Sequence, residues 1–186
     1  VVSGPDRLPQ TARLVVEAKA TEAVGTPILF DAEQLETNIF QPGDGTAAVD
    51  LDGRRISLDG NAWRGQPLDE PYTITENTVA RFRAEVTDLG EVQAIGFDDD
   101  NGFPNDDPTY QAFFRLAGTQ EWSIFDDTFA GSVNEGGGLA DIAIPLGAFA
   151  GETINFVVAI NDEDRSGETA ELALQDLVFV ETDLLT

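Results

Sequence analysis

The sequence predicts an all-β fold, a jelly-roll β-sandwich of two antiparallel sheets. Three observations carry this. Short apolar segments recur between turn signals at intervals of about eight to twelve residues. Several alternate strictly between apolar and polar side chains. Hardly any stretch has the spacing of an amphipathic helix, and no internal repeat points to a solenoid or propeller.

Residues 1–10 hold Gly4, Pro5 and Pro9 and read as a linker, leaving 11–186 as one sandwich module. Arg13 to Ala20 is the first expected strand, and Ile28 to Phe30 a short second one. Asp31 is placed to cap a single helical turn. Thr46 to Leu51 and Arg54 to Leu58 form a hairpin about Asp52-Gly53. Ala62-Trp63-Arg64 and Tyr72-Thr73-Ile74 are separate short segments between turns.

Val79 to Thr87 alternates most cleanly, with Ala80, Phe82, Ala84 and Val86 on one face and Arg81, Arg83 and Glu85 on the other. Val92 to Phe97 is apolar on both faces and so central. Thr109 to Leu116, a short strand after Gly118, Leu139 to Ile144 and Thr153 to Asn161 follow. In Thr169 to Glu181 the apolar parity shifts from Leu172 and Leu174 to Leu177 and Phe179, which predicts a β-bulge near Gln175 and Asp176.

The 35 acidic residues face ten basic ones, a formal net charge of −25. Such a field repels phosphate backbones and anionic headgroups, so nucleic-acid and membrane-surface partners are not expected. Self-repulsion on this scale is relieved by divalent cations or by salt, which fits a secreted, extracellular protein. No apolar run reaches membrane-spanning length, no signal peptide is visible at Val1, and the abrupt start suggests a piece of a larger multidomain chain. Cysteine, histidine and methionine are all absent. The usual zinc, copper and iron ligand sets are therefore missing, and the oxygen donors that remain suit Ca2+ or Mg2+.

Two acidic loops concentrate those donors. Asp98-Asp99-Asp100-Asn101 follows the apolar Ile95-Gly96-Phe97, and Asn161-Asp162-Glu163-Asp164 follows Val157-Val158-Ala159-Ile160. Adjacent carboxylates beside a core need a cation or good donors to compensate them. Asp162-x-Asp164-x-Ser166-Gly167 has the opening spacing of an EF-hand loop, yet the twelfth position is Ala173 where a bidentate Glu is required, so a true EF-hand is rejected. If the two preceding strands run the same way, Asp98, Asp100, Asn161, Asp162 and Asp164 could share one calcium ion. The alternative is two separately solvated loops.

Leu58-Asp-Gly-Asn-Ala-Trp-Arg64, Pro71-Tyr-Thr-Ile-Thr-Glu-Asn-Thr-Val79, Ile95-Gly-Phe-Asp-Asp-Asp100, Phe114-Arg-Leu-Ala-Gly-Thr-Gln-Glu-Trp122 and Val158-Ala-Ile-Asn-Asp-Glu-Asp164 together resemble noncatalytic jelly-roll carbohydrate-binding modules. Such modules are appended to secreted bacterial polysaccharide-degrading enzymes and to calcium-binding surface proteins, many of them marine. The resemblance covers roughly Leu51 to Glu181. It implies a polysaccharide partner and a structural calcium held between an acidic residue of the first strand and an aspartate of the last, parts that Glu17 and Asp176 could play. Lys19 stands where a second acidic group is often found.

Sugar binding on a sandwich needs exposed aromatic rings and polar side chains that bond hydroxyls. Trp122 is the first candidate platform, followed by Trp63, Tyr72 and Tyr110, with Arg115, Gln111 and Gln120 as donors. Outward-facing Arg81 and Arg83 would suit an anionic glycan. An exposed calcium could also take sugar hydroxyls directly. An enzyme is not expected: there is no His or Cys and no Gly-x-Ser-x-Gly, and in so acidic a chain a carboxylate pair among Glu121, Glu135 and Glu163 carries no information. The remaining alternative is an adhesin or matrix module that calcium makes rigid.

Overall fold

The computed structural model describes residues 25–38, 43–101, 112–165 and 168–182. The predicted linker 1–10, the strand Arg13 to Ala20, and the candidate residues Glu17, Tyr110 and Gln111 lie outside them. Among the described residues eleven strands form two antiparallel sheets: β1 (Thr26–Pro27), β2 (Glu36–Thr37), β3 (Thr46–Asp50), β4 (Arg55–Asp59), β5 (Ala62–Thr73), β6 (Thr78–Asp88), β7 (Val92–Asp98), β8 (Phe113–Ala117), β9 (Ala140–Pro145), β10 (Thr153–Asp162) and β11 (Glu171–Glu181). The first sheet runs β3-β4-β11-β6-β9, with β1 pairing β11; the second runs β2-β5-β10-β7-β8. From β4 to β7 and again from β8 to β11, each strand is followed by one in the opposite sheet, which is the connectivity of a jelly-roll sandwich. Among the described residues no helix is long and apolar enough to cross a membrane.

The alternation of β6 is realised, with Ala80, Phe82, Ala84 and Val86 buried between the sheets. They meet Ile95 and Phe97 of β7, Val157 and Ala159 of β10, and Phe114 and Leu116 of β8 across a single core. The predicted bulge in β11 is present: pairing to β6 slips between Gln175 and Val178, and Asp176 adopts φ 55°. Asp31 caps one turn, its Oδ1 accepting from the Glu33 N–H at 2.9 Å.

Three segments differ from expectation. Ile28 to Phe30 is not a strand; β1 stops at Pro27, and the Ile28 and Phe30 side chains drop into the core. The two short segments around Trp63 and Tyr72 are one strand of twelve residues, β5. After Gly118 the chain forms no strand but lies as a covering segment over the outer face of the second sheet. There Phe125, with Trp122 and Ile124 partly buried, packs on Trp63, Val92, Ala94, Phe113, Val158 and Ile160 to make a second apolar cluster. Strands β7 and β8 are therefore buried on both faces.

Candidate functional site

Strand direction decides what the acidic loops can do. β7 and β10 are antiparallel neighbours, with Asp98 opposite Phe156 and Asp162 opposite Val92. The loops consequently leave the sheet at opposite ends, about 20 Å apart at the rise of a strand. Asp98 and Asp100 are therefore not brought together with Asn161, Asp162 and Asp164 around one ion, and the two loops lie apart.

At the first end, ligand oxygens of Asp98, Asp99 and Asp100 lie within 4.8 Å of one another, a cluster that could hold a metal ion. Asp98 is 6% exposed, while Asp99 and Asp100 are exposed. Burial, with the charges of Asp100 and Asp99 behind it, pushes the Asp98 carboxyl up to about 7, against the Asp99 N–H that donates to its Oδ1 at 2.9 Å. The loop is pinned across the sheet. Asn155 Nδ2 donates to the Asp99 carbonyl at 2.7 Å, and Asn38 Nδ2 to the Asn101 carbonyl at 3.2 Å. Asn101 reaches the Thr37 carbonyl at 3.3 Å through Nδ2 and sits directly over Gly65, where any Cβ would collide with its amide.

At the opposite end the loop residues are engaged within the protein. Asn161 is not a spare ligand: its Nδ2 donates to the Gly60 and Ala170 carbonyls at 2.7 and 2.9 Å, and its Oδ1 accepts from Gln93 at 2.9 Å. Asp162, 1% exposed, accepts from the Trp63 indole N–H at 3.0 Å. Burial and the charges of Asp164 and Glu163 raise its pKa, opposed by that indole. Glu163 is chelated by Arg165, whose Nε donates at 2.9 Å. Glu91, which sequence reasoning passed over, is buried here as well; it accepts from the Asp164 N–H at 3.2 Å and from Gln120, and its pKa is raised chiefly by burial. No spacing rule links Glu91 to Asp162, since only the β7–β10 pairing brings them together. Asp164 is exposed, and Ser166 and Gly167 lie outside the described residues. Asp176 is paired with Arg54 at 3.2 Å and with Arg83. Its partial burial would raise its pKa, but hydrogen bonds from Arg83 and Gln175 and the charges of both arginines hold it below the usual range.

The sugar-binding candidates separate in the same way. Trp63 is fully buried and offers no face to a ligand. Trp122 is half-buried, its ring 6.2 Å from Trp63 and 6.1 Å from Phe125. Arg115 is held inside the covering segment, Nε to Asp127 at 2.7 Å and Nη1 to the Gly118 carbonyl at 3.3 Å. Gln120 is committed to Glu91. Tyr72 packs on Phe179 with ring centroids 4.6 Å apart and donates to Glu181 at 2.5 Å. These side chains hold the scaffold together, and of the named aromatic platforms among the described residues Trp63 is buried while Trp122 and Tyr72 are each half-buried.

The open polar surface is the outer face of the first sheet. A groove of 330 Å³ crosses β3, β4, β11 and β6, floored by Ala48, Ser57 and Ala173 and walled by Arg55, Glu85 and Glu171. Arg55 is its hub: Nε donates to Ser57 Oγ at 3.3 Å, Nη1 to Gln175 Oε1 at 3.3 Å and Nη2 to Glu85 Oε2 at 3.1 Å. A second depression of 390 Å³ continues the same face toward β9, between Arg81, Arg83, Asp141 and Asp176. The outward parity of Arg81 and Arg83 is visible in the sequence; the register that sets Arg55 beside Glu85 across β11 is not.

No family model matches the sequence, and no curated protein does either. Solved structures do. The glycoside hydrolase domain of Endo-D from Streptococcus pneumoniae R6 superposes with a TM-score of 0.51 at 15% identity over 75% of this chain, which spans 20% of that structure's length. A protein from Bacteroides thetaiotaomicron VPI-5482, provisionally assigned as sugar-binding, aligns over 78% of this chain and 86% of its own at 12% identity, with a TM-score of 0.37. At these identities what is shared with the first of them is the fold, a β-sandwich that occurs within a glycoside hydrolase structure.

Proposed function

We propose that this chain is a calcium-binding, noncatalytic carbohydrate-binding module that holds a secreted, multidomain protein on a polysaccharide. The observation that carries the reading is the asymmetry of the two sheets. Over β7, β8 and the facing parts of β5 and β10 the outer face of the second is sealed by apolar packing, whereas that of the first is an open trough of guanidinium, carboxylate and hydroxyl groups whose Arg55 is already ordered by bonds to Ser57, Gln175 and Glu85. Polyhydroxylated ligands are recognised by such convergent polar groups on a rigid frame.

Calcium is assigned to the Asp98 end. Asp98 and Asp100 supply hard oxygen ligands on a loop fixed to its neighbours by Asn155 and Asn38, and a divalent cation would offset a carboxylate that burial otherwise drives toward protonation. Binding only to the native state stabilises by about 2.7 kcal/mol at a hundredfold excess over Kd.

Affinity electrophoresis through gels containing soluble polysaccharides, run beside thermal melts in calcium and in chelator, tests both parts. Retardation by at least one glycan and a calcium-dependent rise in Tm are expected. A calcium-dependent melt with no saturable glycan binding would assign the chain instead to the rigid adhesin or matrix class. An identical melt in chelator and in millimolar calcium would remove the metal.

A further inference from the structure

We infer that the glycan is a neutral chain lying across the outer face of the first sheet, over Arg55 and on toward Arg83. This inference rests on the carbohydrate-binding reading above. The trough is the place where a chain of net charge −25 gathers its cations: Arg54, Arg55, Arg81 and Arg83 are four of its ten basic residues. They do not make the surface positive. The two depressions set Arg55, Arg81 and Arg83 against Asp59, Glu85, Glu171, Asp141 and Asp176, and Arg55 and Arg83 are each already paired with a carboxylate. A uronate or sulfate group would have to displace those carboxylates or sit beside them, against the field of the whole molecule.

A hydroxyl meets no such obstacle, because it donates one hydrogen bond and accepts two. Beside Arg55 it can accept from the guanidinium, three of whose five N–H groups are engaged by Ser57, Gln175 and Glu85, while donating to Glu85 or Glu171. Those three partners fix the guanidinium before a ligand arrives, which reduces the ordering lost on binding. Ala48, Ser57 and Ala173 keep the floor low.

Length follows from topology. The first depression spans β3, β4, β11 and β6, and the second continues from β6 to β9. From β3 to β9 is four strand spacings, about 19 Å, so the trough suits an extended chain and not a lone monosaccharide. Among the described residues no aromatic ring other than that of Phe82, a residue buried in the core, borders either depression, so binding is carried by hydrogen bonds.

The test uses affinity electrophoresis and calorimetry of the calcium-loaded chain with mixed-linkage β-glucan, laminarin, galactomannan and pullulan, the carboxymethylated form of each, alginate and polygalacturonate. At least one neutral glycan should bind, and carboxymethylation should weaken that binding tenfold or more. The Arg55→Gln/Glu85→Gln double variant, which leaves neither charge unpaired, should lose at least tenfold in affinity. Ala48→Arg, at an exposed edge-strand position that leaves the Arg55 bonds intact, should do the same by obstructing the groove, and serves if the double variant does not fold. Binding confined to anionic glycans would overturn the inference. So would neutral-glycan binding that survives both variants, which places the sugar elsewhere and leaves the module reading standing. Absence of binding to any glycan of either charge overturns the inference and the module reading together.

Discussion

Asp98→Asn turns the buried aspartate into a stability measurement. An unfolded aspartate titrates near 3.9, whereas the native Asp98 carboxyl is pushed up to about 7. Between those values the native state binds the additional proton, so its stability falls as pH rises through the window and levels off above it. Integrated from about pH 5.5 to about pH 8, the loss is about 2 kcal/mol, and residual solvent contact lowers it to about 1–2 kcal/mol. For a domain of this size that corresponds to a Tm difference of about 2–8 °C. Asn keeps the oxygen that accepts the Asp99 N–H and cannot ionise. In chelator, the lead of the variant over the wild type should be about 1–2 kcal/mol larger at pH 8 than near pH 5.5, where the wild type has already lost part of its stability. Asp162 and Glu91 shift in the same direction, so the quantity to read is the difference between wild type and variant, by urea denaturation at both pH values. Millimolar calcium should reverse the ranking at pH 8, because the ion favours the charged carboxylate. Parallel pH profiles for wild type and Asp98→Asn in chelator would refute the reasoning.

Three further substitutions probe the frame. Gly96→Ala should cost about 1–3 kcal/mol in a denaturant melt, since its methyl would press into the buried Phe113 ring; an unchanged midpoint would show that the ring can retreat. Arg115→Met removes the donor to Asp127 and to the Gly118 carbonyl, and should loosen the covering segment by about 1–2 kcal/mol, read as faster proteolysis between 119 and 131. Asp176→Ala loses the bonds from Arg54 and Arg83 at a left-handed position and should cost about 1–2 kcal/mol, while Asp176→Gly, free of backbone strain, should recover part of that.

The sandwich was legible because its signals are local. The parity of Ala80, Phe82, Ala84 and Val86 has one physical meaning, and so does the slip of parity in β11, which the backbone resolves at Asp176. β5 was hidden by Pro67 and Pro71, which read as breakers. They are tolerated because β2 covers one edge only at Arg64 and Gly65 and the pairing to β10 on the other is irregular between Pro67 and Tyr72. The apolar run after Gly118 looked like a strand, since nothing local distinguishes a strand from a segment that buries Trp122, Ile124 and Phe125 on a sheet's outer face. The shared-ion arrangement failed on strand direction, a non-local property: identical apolar-then-acidic texts emerge at opposite ends when their strands are antiparallel neighbours. The trough is invisible for the same reason, because Arg55, Glu85 and Gln175 come from three strands.

The covering segment bears on function in a way that fold class alone does not. With Trp63, Val92, Ala94, Phe113, Val158 and Ile160 on its outer face, the second sheet would expose a broad apolar surface if uncovered, an invitation to association. The chain hides it by folding 119–126 across it, and ties that segment down through Arg115 to Asp127 and Gln120 to Glu91, while the Trp63 indole beneath it is held by the Asp162 carboxylate. Those tethers consume the arginine, glutamine and tryptophan that looked available for a sugar. Once they are spent on closure, the polar inventory that remains open on a sheet face is that of the first sheet. There β6 and β11 present Arg83, Glu85, Glu171 and Gln175 outward because their alternate residues fill the core. The same alternation that builds the sandwich therefore also builds the trough, and the burial of one sheet's outer face directs ligand binding to the other.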